Sequence, residues 1–111
     1  MQLWFPSTRL KKDFTDVKRR RRRFGVRRSE LINVRLQDMA AAVTLEDLRH
    51  APGRYHELRG DRSRQISVDL DHPYRLIFEP AHEPLPVDQH GRLLWEGVTA
   101  VMILEVADTH E

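Results

Sequence analysis

Hydrophobic positions in this chain recur at helical spacing in its first part and at strand spacing after Gly53. Leu10, Phe14 and Val17 stand at i, i+4 and i+7, one face of a first helix. Pro6-Ser7-Thr8 supplies a turn and a capping hydroxyl ahead of it. The helix is expected to run on through Arg19 to Arg23 and to stop at Phe24-Gly25, glycine being the usual residue just past a helix C-terminus. Ser29 is the expected cap of a second helix with the stripe Ile32, Leu36, Met39 and Val43. Two helices with a short connection make an antiparallel hairpin with one apolar side. Thr44-Leu45-Glu46-Asp47 then reads as a capping box for a short further turn of helix, closed at Pro52-Gly53.

After Gly53 the period is two. Tyr55 to Leu58 is a short strand and Gly60-Asp61-Arg62 a turn. Gln65 to Leu70 alternates, with Ile66, Val68 and Leu70 on one face and Gln65, Ser67 and Asp69 on the other. Asp71-His72-Pro73 turns the chain into Tyr74 to Glu79, where Tyr74, Leu76 and Phe78 share a face and Arg75 points the opposite way. Residues 80–97 hold three prolines, two glycines and several charges, the composition of a long loop or arm. Val98 to Ala107 is nearly all apolar, as expected of a central strand covered on both faces. Met1 to Phe5 alternates weakly and is a candidate first strand. The expected fold is α+β: two N-terminal helices on one face of a small, mostly antiparallel sheet of about four strands.

Length and composition narrow this further. The 111 residues suit one domain, taken as residues 1–111. With no cysteine there is no disulfide framework, thiol nucleophile or thiolate metal site. MQLWFPSTRLKKDF contains no apolar run long enough for a signal peptide or a membrane span, so a soluble cytoplasmic protein with no membrane partner is expected. The net charge of +2 conceals an asymmetry. Residues 1–35 carry twelve Lys/Arg against three Asp/Glu, a balance of +9, and the remainder carries −7. Five consecutive arginines, Arg19, Arg20, Arg21, Arg22 and Arg23, exceed what solubility requires and suggest a footprint for nucleic acid. A heavily solvated helix face is the plainer reading of the same run.

The chemistry is concentrated in HELRGDRSRQISVDLDHPYRLIFE, residues 56–79, and in the terminal Asp108-Thr109-His110. The polar neighbours of these strands are arginines and histidines. A guanidinium offers a planar fork that pairs with phosphate oxygens. An imidazole titrates near neutrality and can move a proton. Arg75 is placed to hold a phosphate, or to pair with Glu57 or Asp69. Arg62 sits in a turn whose glycine lets a phosphate approach the backbone. Arg59 and Arg64 are rim charges or further phosphate contacts, and His56 is either a catalytic imidazole or a hydrogen-bonded structural one. His50, His72, His82 and His90 read as ordinary loop residues. No histidines and carboxylates stand at a recognisable metal spacing, so neither a metal nor another cofactor is expected.

ELRGDR followed by DHPYRLIFEP, with the terminal D-x-H, resembles the killer-protein (HigB-type) branch of the RelE/ParE toxins. The resemblance covers residues 30–111 well and the basic first helix loosely. It implies a toxin of a type II toxin–antitoxin system that enters the ribosomal A site and cuts messenger RNA. It also implies silencing by a helix-turn-helix, HigA-like antitoxin in a hetero-oligomer. His56, Arg59, Arg62, Arg75, Asp108 and His110 fall on the family's functional positions. The chain has Arg59 where relatives commonly have lysine, and Thr109 where they commonly have tyrosine, which removes a stacking platform for a base. Its 80–97 loop is longer than in the shortest members.

Under this reading the expected reaction is metal-independent attack of an RNA 2′-hydroxyl on its neighbouring phosphate. Arg75 and Arg62 would hold the phosphate, and His56 and His110 would divide the acid and base roles. Arg19 to Arg23, Arg59 and Asp108 would contact RNA. Two alternatives stay open: a non-enzymatic ParE-like toxin that poisons DNA gyrase, and a degenerate member that only binds RNA or antitoxin.

Overall fold

Asp16 divides the first expected helix in two in the computed structural model, which describes residues 1–109. Helix α1 (Thr8–Thr15) is opened by Ser7, whose hydroxyl accepts from the Leu10 amide. The Asp16 backbone is then extended, and its carboxylate accepts from the amides of Lys18 and Arg19 to open α2 (Val17–Phe24). A short carboxylate that satisfies two orphan N–H groups competes well with continuation of the helix. Gly25, at φ +84°, makes the next corner in a conformation that suits glycine alone among common residues. Helix α3 (Val26–Ala41) begins directly after it, ahead of the cap expected at Ser29.

Ser29 has a different task. It is fully buried, and its hydroxyl accepts from Arg20 Nε at 2.8 Å. Arg20 Nη1 donates to the Phe14 carbonyl at 3.0 Å, so one guanidinium ties α1, α2 and α3 together. Burial pushes its pKa down from the usual arginine range. The reading of Arg19 to Arg23 as one outward-facing run is corrected here: Arg20 is 5% exposed. Arg20→Met strips both bonds and is expected to cost about 2 kcal/mol, hydrogen bonds to charged groups being worth roughly 1.5–3 kcal/mol each. Arg21→Met, on the exposed side, should stay within about 0.5 kcal/mol. Thermal melts followed by circular dichroism compare the two.

Ile32, Leu36 and Met39 form the buried stripe of α3, as their spacing predicts. Val43 does not join it. The helix ends at Ala41, Ala42 turns to an extended conformation, and Val43 is 74% exposed. The Thr44 capping box is present, with Asp47 accepting from the Thr44 amide, but it opens a 3-10 turn (Leu45–Leu48). Gly53 lets the chain pass tightly over the sheet, since a Cβ there would lie 2.6 Å from Val68 Cγ2.

The sheet has five strands where about four were expected: β1 (Gln2–Trp4), β2 (His56–Glu57), β3 (Ile66–Asp69), β4 (Tyr74–Pro80) and β5 (Ala100–Asp108). Their order is β1-β5-β4-β3-β2. Strands β2 to β5 form an antiparallel meander, and the weak candidate at the start of the chain pairs parallel to β5, so the sheet is mixed. Three helices cover one face. Phe14, Ile32, Leu36 and Met39 meet Ile66, Val68, Leu76, Phe78, Val101 and Ile103 in one core. β5 departs from the expectation of cover on both faces. Ala100, Val101 and Ile103 are buried, but the strand from Leu104 to Asp108 is half-buried or exposed. Residues 80–97 are a docked arm: Trp95 is buried, donates to Glu57 at 2.9 Å and lies under the Arg49 guanidinium. Among the described residues no helix is long and apolar enough to cross a membrane.

Candidate functional site

The face of the sheet turned away from the helices gathers most of the sequence candidates. His56, Ser67, Ile77 and Glu105 form one cross-strand row from β2 to β5. Asp69, Arg75 and Ala107 form the next row, two residues further along. Residues opposite one another in adjacent strands share a face. The Cα atoms of His56 and Arg75 are therefore roughly 12 Å apart, from strand spacing and rise. Ser67 and Ile77, both 0% exposed, are the floor between them.

His56 has a defined tautomer. Its Nδ1 lies 3.1 Å from the Arg54 carbonyl, which can only accept, so Nδ1 carries the hydrogen. In the neutral ring Nε2 then holds the lone pair, 3.4 Å from the Ser67 hydroxyl. An imidazole held this way can take a proton at Nε2.

Arg62 closes the 3-10 turn Gly60–Arg62, and its Nη1 donates to Gln65 Oε1 at 3.1 Å and to Glu105 Oε2 at 3.3 Å. Arg75, whose side chain is 14% exposed, donates from Nη1 to the Thr109 hydroxyl at 2.8 Å. Its Nε faces Asp69 Oδ1 at 3.2 Å without hydrogen-bond alignment. Both readings of Arg75 therefore hold at once: it pairs with Asp69 and still presents Nη2 without a partner among the described residues. Asp69 also accepts from Arg54 Nε at 3.1 Å. Arg54, Asp69, His72, Tyr74 and Arg75 line a cleft of about 180 Å³. The turn beside it is fixed by Arg28, which forks onto Asp71 at 2.8 and 3.0 Å and lies over the Tyr74 ring. The Arg28 guanidinium holds the Asp71 carboxyl below the usual carboxylate range.

The remaining candidates fall at the edges or elsewhere. Arg59 is exposed at the entry to the Gly60–Arg62 turn. Asp108 is exposed at the end of β5, opposite Tyr74. His110 lies outside the described residues. Arg19 to Arg23 belong to the helix layer. Arg19 and Arg23 grip Asp13 at 2.7 and 2.8 Å, and that carboxyl is held low chiefly by its hydrogen bond to Arg19. With Ser7, Arg9 and Arg22 they line a basic cleft of about 540 Å³ between α1 and α2.

Sequence reasoning passed over several of these residues. Glu105 is the one charged residue in Val98 to Ala107, and that isolation was its signal. Thr109, read only as a lost aromatic, is the acceptor that ties the end of the described chain to Arg75. His72, set aside as a loop residue, lines the Arg75 cleft. His82 serves the fold, its Nε2 accepting from the amides of Thr99 and Ala100.

Three helices over one face of a mixed five-strand sheet, with guanidiniums on the other, is the architecture of a class of small toxins. The YoeB/ParE toxin from Agrobacterium tumefaciens superposes with a TM-score of 0.59 at 14% identity, over 99% of this chain and 100% of its own. The YoeB-YefM complex from Staphylococcus aureus superposes with a TM-score of 0.56 at 14% identity, over 100% of this chain and 98% of that one. No family model matches the sequence, and no curated protein does. The chain has the fold of the YoeB/ParE toxins, as its resemblance to the wider RelE/ParE group implied.

Proposed function

We propose that this protein is a toxin of a type II toxin–antitoxin system, of the HigB-like kind, that cleaves messenger RNA on the ribosome. The observation that carries the reading is one open sheet face on which His56, Arg62 and Arg75 converge within a toxin fold. The reaction needs a proton removed, a proton supplied and charge on phosphorus stabilised. His56 Nε2 takes the proton of the 2′-hydroxyl. The 2′ oxygen bonds to phosphorus, the bond from phosphorus to the 5′ oxygen breaks, and a general acid protonates that leaving oxygen. His110 is the acid the sequence offers. General acid–base help of this kind is worth about 10²–10⁴-fold. Arg62 and Arg75 add an electrostatic contribution by donating to the non-bridging oxygens. No metal or organic cofactor enters this scheme.

The exposed members of the arginine run, with Arg59 and Asp108, would contact RNA outside the scissile phosphate. One structural neighbour is a YoeB-YefM complex, which supports an antitoxin as partner here, expected as a helix-turn-helix, HigA-like protein. Induced expression with separate readouts of translation, message integrity and DNA supercoiling tests the reading. Growth should stop through loss of translation, with cuts confined to translated messages that leave a 2′,3′-cyclic phosphate upstream and a 5′-hydroxyl downstream. Intact messages with gyrase-linked DNA damage would place the protein with the gyrase poisons. Intact messages with RNA binding alone would make it an inactive member.

A further inference from the structure

Arg62 is an unusual choice for a phosphate ligand, because it stands on an exposed turn. A guanidinium there would ordinarily sample many rotamers, and holding one geometry costs side-chain entropy. Two acceptors on opposite sides of the sheet restrict it. Gln65 lies at the near end of β3, and Glu105 lies across the face on β5. Both accept from the same nitrogen, Nη1, at 3.1 and 3.3 Å. Nε and Nη2 make no hydrogen bond among the described residues. These two form the edge of the guanidinium whose parallel N–H bonds match two phosphate oxygens.

Glu105 has no other stated partner, and its strand supplies no structural reason for a charge. The neighbouring positions of β5 are apolar, and its cross-strand partner Ile77 is buried. With its side chain 48% exposed, the ion pair adds little to folding stability. Its geometric consequence is larger. It draws the Arg62 guanidinium across the floor formed by Ser67 and Ile77, between His56 on one side and Arg75 on the other.

We propose that Glu105 is the positioning residue for Arg62, holding Nη1 so that the Nε–Nη2 edge faces the phosphate of bound RNA. The assignment rests on the RNA-cleavage reading and deepens it. What Glu105 must supply is an acceptor oxygen at a fixed place, and a glutamine side chain supplies the same oxygen without charge. It acts through Arg62 alone, so its loss has no further effect once Arg62 is gone. A misplaced donor lowers the rate at saturation more than it weakens binding, because the contact tightens in the transition state.

The test is single-turnover and steady-state cleavage of message on programmed ribosomes by wild type, Glu105→Ala, Glu105→Gln, Arg62→Ala and the double variant Arg62→Ala/Glu105→Ala. Glu105→Ala should lower kcat about 5- to 10-fold with KM within twofold, and Glu105→Gln should recover to within about threefold of wild type. The double variant should match Arg62→Ala. Circular dichroism melts should superimpose for Glu105→Ala and Glu105→Gln. Glu105→Gln as inactive as Glu105→Ala, with the acidic limb of the pH–rate profile lost, would make Glu105 a proton acceptor and overturn the positioning role. Glu105→Ala equal to wild type, or a double variant worse than Arg62→Ala by the full single effect, would also overturn it. A wild-type protein that binds ribosomes but cuts nothing would remove the cleavage reading itself, and this assignment with it.

Discussion

Arg75→Ala is expected to lower message cleavage at least ~10-fold while the protein stays folded, since one preorganised donor of this kind is commonly worth a few kcal/mol. The side chain stands opposite the apolar face of β4, so its removal opens no cavity in the core. Its two partners are not stranded. Asp69 keeps Arg54, and Thr109 can turn to solvent. Arg75→Lys separates charge from shape. Lysine keeps the cation but cannot reach Asp69, Thr109 and a phosphate with one planar group, so only part of the activity should return. Cleavage rates on programmed ribosomes, together with thermal melts, give both measurements. A folded and fully active Arg75→Ala protein would refute the placement of the phosphate beside β4.

The second large effect is expected at the helix layer, where binding can be separated from chemistry. Changing Arg21, Arg22 and Arg23 to glutamate shifts the local charge by about six units and leaves the open sheet face untouched. Arg20 must be spared, because it is the buried tie to Ser29 and Phe14. Helix formation should hardly change, arginine and glutamate having similar propensities. Only the Arg23 pair with Asp13 is lost. If the basic cleft docks on ribosomal RNA, affinity should fall steeply. The slope of log affinity against log salt should shallow by roughly 0.7–0.9 for each phosphate contact removed. Binding titrations at several salt concentrations read this directly. Ribosome binding lost with antitoxin affinity intact supports RNA docking. Antitoxin affinity lost with ribosome binding intact would make these arginines a regulatory surface.

The two experiments probe different physics. The sheet face holds single guanidiniums in fixed orientations, where geometry decides the rate. The α1–α2 cleft presents several cations with no ordered acceptor beyond Asp13, where charge density decides affinity. Variants of the first should show in kcat at any salt, and variants of the second in binding and its salt dependence.

The sequence by itself determined the change of period at Gly53, the buried stripe of α3, the antiparallel meander and the candidates His56, Arg62 and Arg75. These are local properties: repeats of 3.6 and 2.0 residues are written in neighbouring side chains, and strand alternation alone puts Arg75 opposite Leu76 and Phe78. It also carried the resemblance to the RelE/ParE toxins, whose fold the structure has. The tertiary structure decided what depends on distant partners. Asp16 could have been one more charge on a helix face, and became a cap because its carboxylate found two amides. Arg20 looked like its four neighbours, and only the packing of α3 put Ser29 within its reach. β1 gained a place because β5 offered it an edge, which no alternation within Met1 to Phe5 encodes. Glu105 was visible as a lone charge in an apolar strand. Its meaning came from Arg62, 43 residues away in sequence and 3.3 Å away in the fold.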